Sequence, residues 1–492
     1  MILRVKQTMS EITEEALYRA CEPMREDGMA ISNYLEQLSG LLFLKACESS
    51  GKLTFESFDR ESDSLYLPDP YRWEAIIGQS NLSDYQYDSD FSKPIIYDKH
   101  PSNMGNLERY EEAVAHLKED GNLAQQAFDQ FTPLFNRRST FVDTVQQLER
   151  LDGWGSFGEN ADLFGDAYEY LLEKYADKAE GAGEYFTPRP LTNAMVRFIE
   201  PEVEDKIIDP ASGTNGFLIQ SYDYLKEETD NFSKIQKTDV ESQFASREIR
   251  TETYRLGLLN YLLHDIDPSD VNAMRGDSLR EEKTSSNEYD LVLANPPFGS
   301  DISFQYNRKC DSTIEMNFLM MMMDLLNDSG RAGIVVPEGI LFDSSKKPVR
   351  SELLNQFNLD TILALPENTF QPYSGVDANV LFFERDSSGT DDFWFYDARS
   401  DYENIKQSNP LTYEKHFSDF VNYQDNREDC ERYFKVNADE IDEDNYELYL
   451  KKYKQFSSDG YRSPIEIAQD INDELTTIET ELNQMVGDIN DE

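Results

Sequence analysis

Apolar positions between about residues 10 and 50 recur at helical spacing, with Tyr34-Leu35, Leu38, Leu41-Leu42 and Leu44 on one stripe, and predict helices there. A Ser/Asp/Tyr-rich stretch at roughly 78 to 104 reads as a loop, after which helical patterns resume through Leu107 to Ala115 and Phe141 to Leu151. A further amphipathic helix, Leu163 to Leu172, leads to a Gly/Pro-punctuated turn near 181 to 190. Beyond about residue 155 the pattern changes. Short apolar runs, Lys206-Ile207-Ile208, Tyr289 to Ala294, Ala332 to Val336, Thr361 to Leu365 and Asn379 to Phe383, alternate with helices and predict an α/β sheet covered on both faces. From about 386 the chain is polar and acidic until Ile471, Leu475, Ile478, Leu482, Met485 and Ile489, whose 4-3-4-3-4 spacing is a heptad seam. The expected division is a helical domain over residues 1–155, an α/β domain over 156–400, and a C-terminal region over 401–492 ending in a docking helix.

Charge changes this picture most. The 492 residues carry 46 Lys+Arg against 96 Asp+Glu, a net charge of −50, the opposite of what a phosphate-binding surface wants. With 39% hydrophobic and 12% aromatic residues the chain forms a core rather than a disordered polyanion. The acidity fits an extreme halophile, where molar salt shrinks the Debye length to roughly 3 Å and acidic side chains keep the surface hydrated. Cys21, Cys47, Cys310 and Cys430 are far apart without a C-x-x-C pair, which argues for reduced thiols and against a zinc site. No run of about 18 apolar residues and no secretory leader is present, so a soluble cytoplasmic protein is expected.

Two segments carry candidate chemistry. In Ile208 to Leu218, Asp209 ends a strand and Pro210-Ala211-Ser212-Gly213-Thr214-Asn215-Gly216 forms a small-residue loop that opens a helix and lets backbone approach a ligand. No G-K-[ST] follows, which excludes a P-loop, and a carboxylate suits the cationic amino group of a methionine moiety better than a pyrophosphate. The second segment, Asn295-Pro296-Pro297-Phe298, follows directly on the apolar strand. The amine of adenine is a poor nucleophile because its lone pair is delocalised. A catalyst must therefore hold it with acceptors such as the Asn295 oxygen and the Pro296 carbonyl, on a turn stiffened by proline. Phe298 would stack on a base that has left the duplex.

These motifs, in this order, resemble the adenine-N6 DNA methyltransferases, and within them the HsdM-type modification subunits of type I restriction-modification systems. The likeness runs from Leu38-Ser39-Gly40-Leu41-Leu42-Phe43-Leu44-Lys45 to Val380-Leu381-Phe382-Phe383 and includes Gly165 to Leu172, Gly183 to Arg189, Arg331 to Gly339 and Leu365 to Phe370. It implies a Rossmann-like class I methyltransferase domain between an N-terminal helical domain and a C-terminal helical arm. The implied cofactor is S-adenosylmethionine, with Glu184, Tyr185, Phe186, Thr187, Pro188 and Arg189 at its methionine end and Asp209, Ala211, Ser212, Gly213 and Gly216 along its loop. By the same resemblance Glu248 accepts the ribose hydroxyls and Asp277 lies near the adenine. Ser212 stands where the family carries Cys or Ala-Gly, and Asn215 where it carries a small residue.

The resemblance implies double-stranded DNA as substrate and, as partners, a specificity subunit, with two copies of this chain for each, and a restriction or motor subunit. The chain itself shows no zinc finger or basic recognition helix. Two other readings stand beside this one. A protein glutamine methyltransferase presents the same conjugated amine to an Asn-Pro-Pro-aromatic turn, although that family favours Tyr where this chain has Phe298. A non-catalytic methyltransferase-like scaffold would bind DNA and cofactor without turnover.

Overall fold

The computed structural model describes residues 15–49, 53–54, 65–67, 71–79, 95–97, 99–119, 125, 128–151, 164–172, 186–229, 232, 234–280, 287–299, 306, 313–370, 375–399, 405, 409–424 and 427–454. Two units separate, Met1–Leu448 and Tyr449–Glu492, and the described part of the second holds a one-turn helix, Leu450–Tyr453. Glu184, Tyr185 and the heptad segment 471–489 lie outside the described residues. Among the described residues no helix is long and apolar enough to cross a membrane.

The predicted N-terminal helices form as α1 (Ile31–Ser49), α2 (Asn106–Glu119) and α3 (Arg138–Glu149). The stripe Leu35, Leu38, Leu41, Leu42 and Leu44 is buried, as its spacing requires. Phe43, Phe128 and Phe131 meet edge to face beside it. Gly40 allows this close approach, because a Cβ there would stand 2.7 Å from Phe131 Cζ and 2.8 Å from Tyr110 Oη. Glu112 on α2 is fully buried yet satisfied, since its carboxylate accepts the amides of Ile95, Ile96 and Tyr97 at 2.6–2.8 Å.

Nine strands make one sheet: β1 (Ile207–Asp209), β2 (Phe244–Glu248), β3 (Asn272–Arg275), β4 (Tyr289–Ala294), β5 (Leu326–Pro337), β6 (Asn358–Ala364), β7 (Ala378–Glu384), β8 (Asp392–Asp397) and β9 (Tyr433–Asn437). Their spatial order is 9-8-6-7-5-4-1-2-3. Strands β3, β2, β1, β4 and β5 are parallel, and β7 runs antiparallel between β5 and β6. This is the Rossmann-like methyltransferase sheet that the sequence led us to expect, extended by β8, parallel to β6, and by the antiparallel edge strand β9. The order reverses between β1 and β4, so a crevice opens outside their carboxyl ends, where this class of sheet binds ligands.

Helices α4 (Arg189–Ile199), α5 (Gly216–Glu228), α6 (Lys234–Gln243), α7 (Thr251–Leu263), α8 (Ile314–Leu325) and α9 (Lys347–Gln356) cover the strands. Met320 to Met323 on α8 are all buried, in the core rather than on a ligand surface. Helix α1 packs on α7. There the fully buried Arg255 pairs with Glu36 of α1 and lies 4.8 Å over the Phe131 ring. The helical region therefore rests on the helix that follows β2.

Candidate active site

Buried Ile207 and Ile208 bring Asp209 to the carboxyl end of β1, 2% exposed, with its Oδ1 accepting the Ala211 amide at 3.0 Å. The loop beyond it turns through two left-handed residues, Gly213 at φ +53° and Asn215 at φ +67°. Asparagine is among the few side chains that adopt this region readily, so the loop keeps its left-handed turn at Asn215 without a glycine. The loop is fixed from two sides. Ser212 donates its amide to the Arg247 carbonyl at 2.9 Å, and Asn260 Nδ2 on α7 donates to the Thr214 carbonyl at 2.9 Å.

Glu248, the last residue of β2, turns its carboxylate into the same loop, accepting the Gly213 amide at 3.1 Å and the Arg250 amide at 2.7 Å. Burial pushes its pKa up while those amides oppose the rise. Asp209 is pushed up to about 8 by burial, opposed by the Ala211 amide and reinforced by the charge of Glu248. Two inward carboxylates on neighbouring strand ends make a place for a cation or for hydroxyl donors. Asp277 follows β3 and accepts the Leu279 amide at 3.1 Å while pairing with Arg280 at 3.0 Å. Its segment is tied to the β1 loop by Ser278 Oγ donating to the Pro210 carbonyl at 2.7 Å.

Across the switch point, Asn295 leaves β4 and donates from Nδ2 to Thr187 Oγ1 at 3.0 Å. Its Oδ1 is buried and, among the described residues, accepts no hydrogen bond. Pro296 is buried, Pro297 is exposed, and half-buried Phe298 meets Phe370 edge to face at 5.7 Å and 85°. Thr187 belongs to the turn that enters α4, capped at its start by Pro188. Arg189 pairs with Glu169 and donates to Gln220 Oε1 on α5 at 3.2 Å.

These parts enclose a cavity of about 310 Å³. Of the residues expected from sequence, Phe186, Thr187, Arg189, Asp209, Ala211, Ser212, Gly213, Gly216, Glu248, Asp277, Asn295 and Pro297 line it, while Pro188, Pro296 and Phe298 do not. Sequence reasoning missed Glu169, Ile249 and Phe318 in the lining. Ile249 had a readable signal, an apolar residue directly after a strand-end acid, and it is 61% exposed. His264 follows the last residue of α7, is 2% exposed and packs against Glu169 and Arg189. Burial, then the Arg189 charge, holds its pKa well below the ordinary range, so the ring is neutral.

Residues 159–459 match the N-6 DNA methylase family. The chain is 33% identical over 429 residues to the type I restriction enzyme StySPI methylase subunit of Salmonella potsdam, covering 82% of this chain and 74% of that one. It is 32% identical to the EcoKI methylase subunit of Escherichia coli with the same coverages. A chain from a solved type I restriction-modification system superposes with a TM-score of 0.70 at 26% identity, over 96% of this chain and 97% of the other. A methyltransferase subunit of the type I system of Streptococcus thermophilus shares the fold, with a TM-score of 0.69 at 20% identity over 91% and 100% of the two chains. The chain belongs to the N-6 DNA methylase family, the adenine-specific DNA methyltransferases. Within that family it is one of the methylase subunits of type I restriction enzymes.

Proposed function

We propose that the chain binds S-adenosylmethionine in the β1–β4 crevice and methylates N6 of an adenine flipped from double-stranded DNA, as the modification subunit of a type I complex. The observation that carries the reading is the buried Oδ1 of Asn295, which accepts no hydrogen bond among the described residues although its amide nitrogen is held by Thr187. An unmet acceptor at a cavity wall is costly unless a ligand donates to it. The lining also fits the cofactor. Gly213 lets backbone come close, Asp209 suits an ammonium group whose charge would favour the ionised acid, and Glu248 suits paired hydroxyls.

Bound S-adenosylmethionine would supply an electrophilic methyl group on its sulfonium. The work of the chain is orientation. Asn295 Oδ1 and the Pro296 carbonyl accept the two N–H bonds of the adenine amine, directing the lone pair into the cavity. Phe298 offers a face to the extruded base, with Phe370 closing behind it, and such stacking offsets roughly 1 to 3 kcal/mol of the extrusion cost.

Residues 1–155, 156–400 and 401–492 are read as the helical, catalytic and C-terminal domains. Segment 471–489 is read as the contact for a specificity subunit that chooses the DNA sequence, with two copies of this chain per specificity subunit and a motor nuclease joining for restriction. The acid excess is read as adaptation to the molar salt of a halophilic cytoplasm. The test is methyl transfer from labelled cofactor to unmethylated DNA in molar KCl, with and without the specificity subunit and with Asn295→Ala. N6-methyladenine that requires both the partner and Asn295 is expected. Label on protein, or bound cofactor without transfer, would overturn the reading.

A further inference from the structure

Glu169 lies ahead of the sheet, in helical residues 164–172, yet it is 5% exposed and forms part of the cavity wall. Its Oε2 pairs with Arg189 Nε, and its Oε1 accepts Asn260 Nδ2 at 3.0 Å and stands 3.6 Å from His264 Nε2. Asn260 uses the same nitrogen to hold the Thr214 carbonyl at 2.9 Å. One carboxylate thereby joins the turn entering α4, the loop between β1 and α5, and the end of α7. The seat is tight. A Cβ on Gly165, one turn before Glu169, would lie 2.4 Å from His264 Nε2, so helix 164–172 rests directly on α7.

The charge matters here as well as the shape. Buried Glu169 faces a half-buried guanidinium, and removing one partner of such a pair leaves the other poorly compensated. Neutral His264 cannot replace Glu169 as the counter-charge to Arg189. Arg189 stands two residues after Thr187, which holds Asn295, so this cluster sits on the β4 side of the cavity. Glu248, Ile249 and Asp277 sit on the β2–β3 side. In the cofactor reading above, on which this inference rests, the first side receives the methionine moiety and the second the nucleoside.

We propose that Glu169 is a positioning residue contributed to the cofactor site by helix 164–172, ahead of the sheet: it fixes Arg189 and, through Asn260, the Thr214 carbonyl, and so sets how tightly the amino-acid end of S-adenosylmethionine is held.

The experiment uses the full chain, with Glu169→Gln and Glu169→Asp, in molar KCl. Calorimetry gives the dissociation constants of S-adenosylhomocysteine and of 5′-methylthioadenosine, which has the nucleoside but no amino acid. Amide exchange at residues 212–216 is measured without ligand, together with the unfolding midpoint. Expected for Glu169→Gln is a loss of about tenfold or more for S-adenosylhomocysteine, of the size seen when a group that orients a ligand contact is removed. Affinity for 5′-methylthioadenosine should be unchanged, exchange at 212–216 faster, and Glu169→Asp should recover part of the loss. Unchanged S-adenosylhomocysteine affinity overturns the proposal. Equal losses for both ligands with a lowered midpoint also overturn it, because they make Glu169 only structural. If the native chain binds neither ligand the methyltransferase reading itself fails, and exchange at 212–216 that does not change on substitution would then independently remove the role of Glu169.

Discussion

Asn215 and Gly257 share one space: a Cβ on Gly257 would stand 2.6 Å from Asn215 Nδ2, and 3.2 Å from the Gly213 carbonyl beneath it. The left-handed loop and helix α7 are thus in contact through the one residue that has no side chain. Gly257→Ala should push the loop off α7 and destabilise the fold by about 1 to 3 kcal/mol, the usual cost of overpacking. Asn215→Gly removes the closer of the two obstacles while keeping a residue suited to positive φ, so the double variant should recover part of the loss. Denaturant unfolding of the four chains in molar KCl checks this, and strict additivity would show that the two residues do not compete for the space.

Asp209 gives the apo protein a specific pH dependence. Its folded pKa, pushed up to about 8, lies above its ordinary value of 3.8. A raised folded pKa means that the folded state binds the proton more tightly than the unfolded chain. The contribution to stability is therefore fully present below about pH 4 and is lost as pH rises through about 8. Asp209→Asn should remove this slope, so its stability relative to the native chain rises between pH 5 and 9 in the absence of ligand. The same variant should bind cofactor more weakly at every pH. Parallel stability curves for the two chains across this interval would refute the assignment.

The parts of the site that are legible in the sequence are those whose contacts are local. The Asp209 loop and the Asn295 turn announce themselves because a strand end, small residues and a Pro-Pro pair are consecutive in the chain. Glu169 does not, because Arg189 lies 20 residues on and Asn260 lies 91 residues on, and only folding brings them together. Strand β2 was poorly marked, since Ser246 and Arg247 interrupt its apolar pattern. The Arg247 guanidinium is accommodated inside the sheet by donating to the carbonyls of Ser246 and Asn272 at 2.9 and 3.0 Å. Strands β8 and β9 fell in a region read as aperiodic. Phe393, Phe395 and Tyr396 are a fair strand signal, but acidic neighbours hid it, and β9 is a strand chiefly because β8 offers it an edge.

Phe298 is outside the cavity lining and braced by Phe370, so its contribution should fall on the target base and not on the cofactor. Phe298→Ala should leave the cofactor dissociation constant within about twofold while lowering kcat/KM for DNA methylation by roughly 10- to 100-fold, the equivalent of one lost stacking contact. Phe298→Tyr keeps the ring and should stay close to the native rate. Cofactor affinity that falls in step with the rate in Phe298→Ala would place the ring at the cofactor instead.

A net charge of −50 on one chain leaves self-repulsion as a standing cost, and the cost depends on salt in a calculable direction. At about 0.1 M salt the Debye length is roughly 10 Å, so neighbouring surface carboxylates repel one another; at about 1 M it is roughly 3 Å and only direct contacts remain. The pairs Arg255–Glu36 and Arg189–Glu169, each joining a buried partner to a half-buried one, are partly shielded from solvent and should change less over that range than the exposed acids. Thermal unfolding should therefore shift steadily upward from 0.1 to 3 M KCl, with most of the gain below about 1 M. Replacing a group of exposed acids such as Glu440, Asp442 and Asp444 by their amides should flatten the curve at its low-salt end. An unfolding midpoint that is independent of KCl would mean that the acid excess is neutral to stability and serves some purpose other than tolerance of salt.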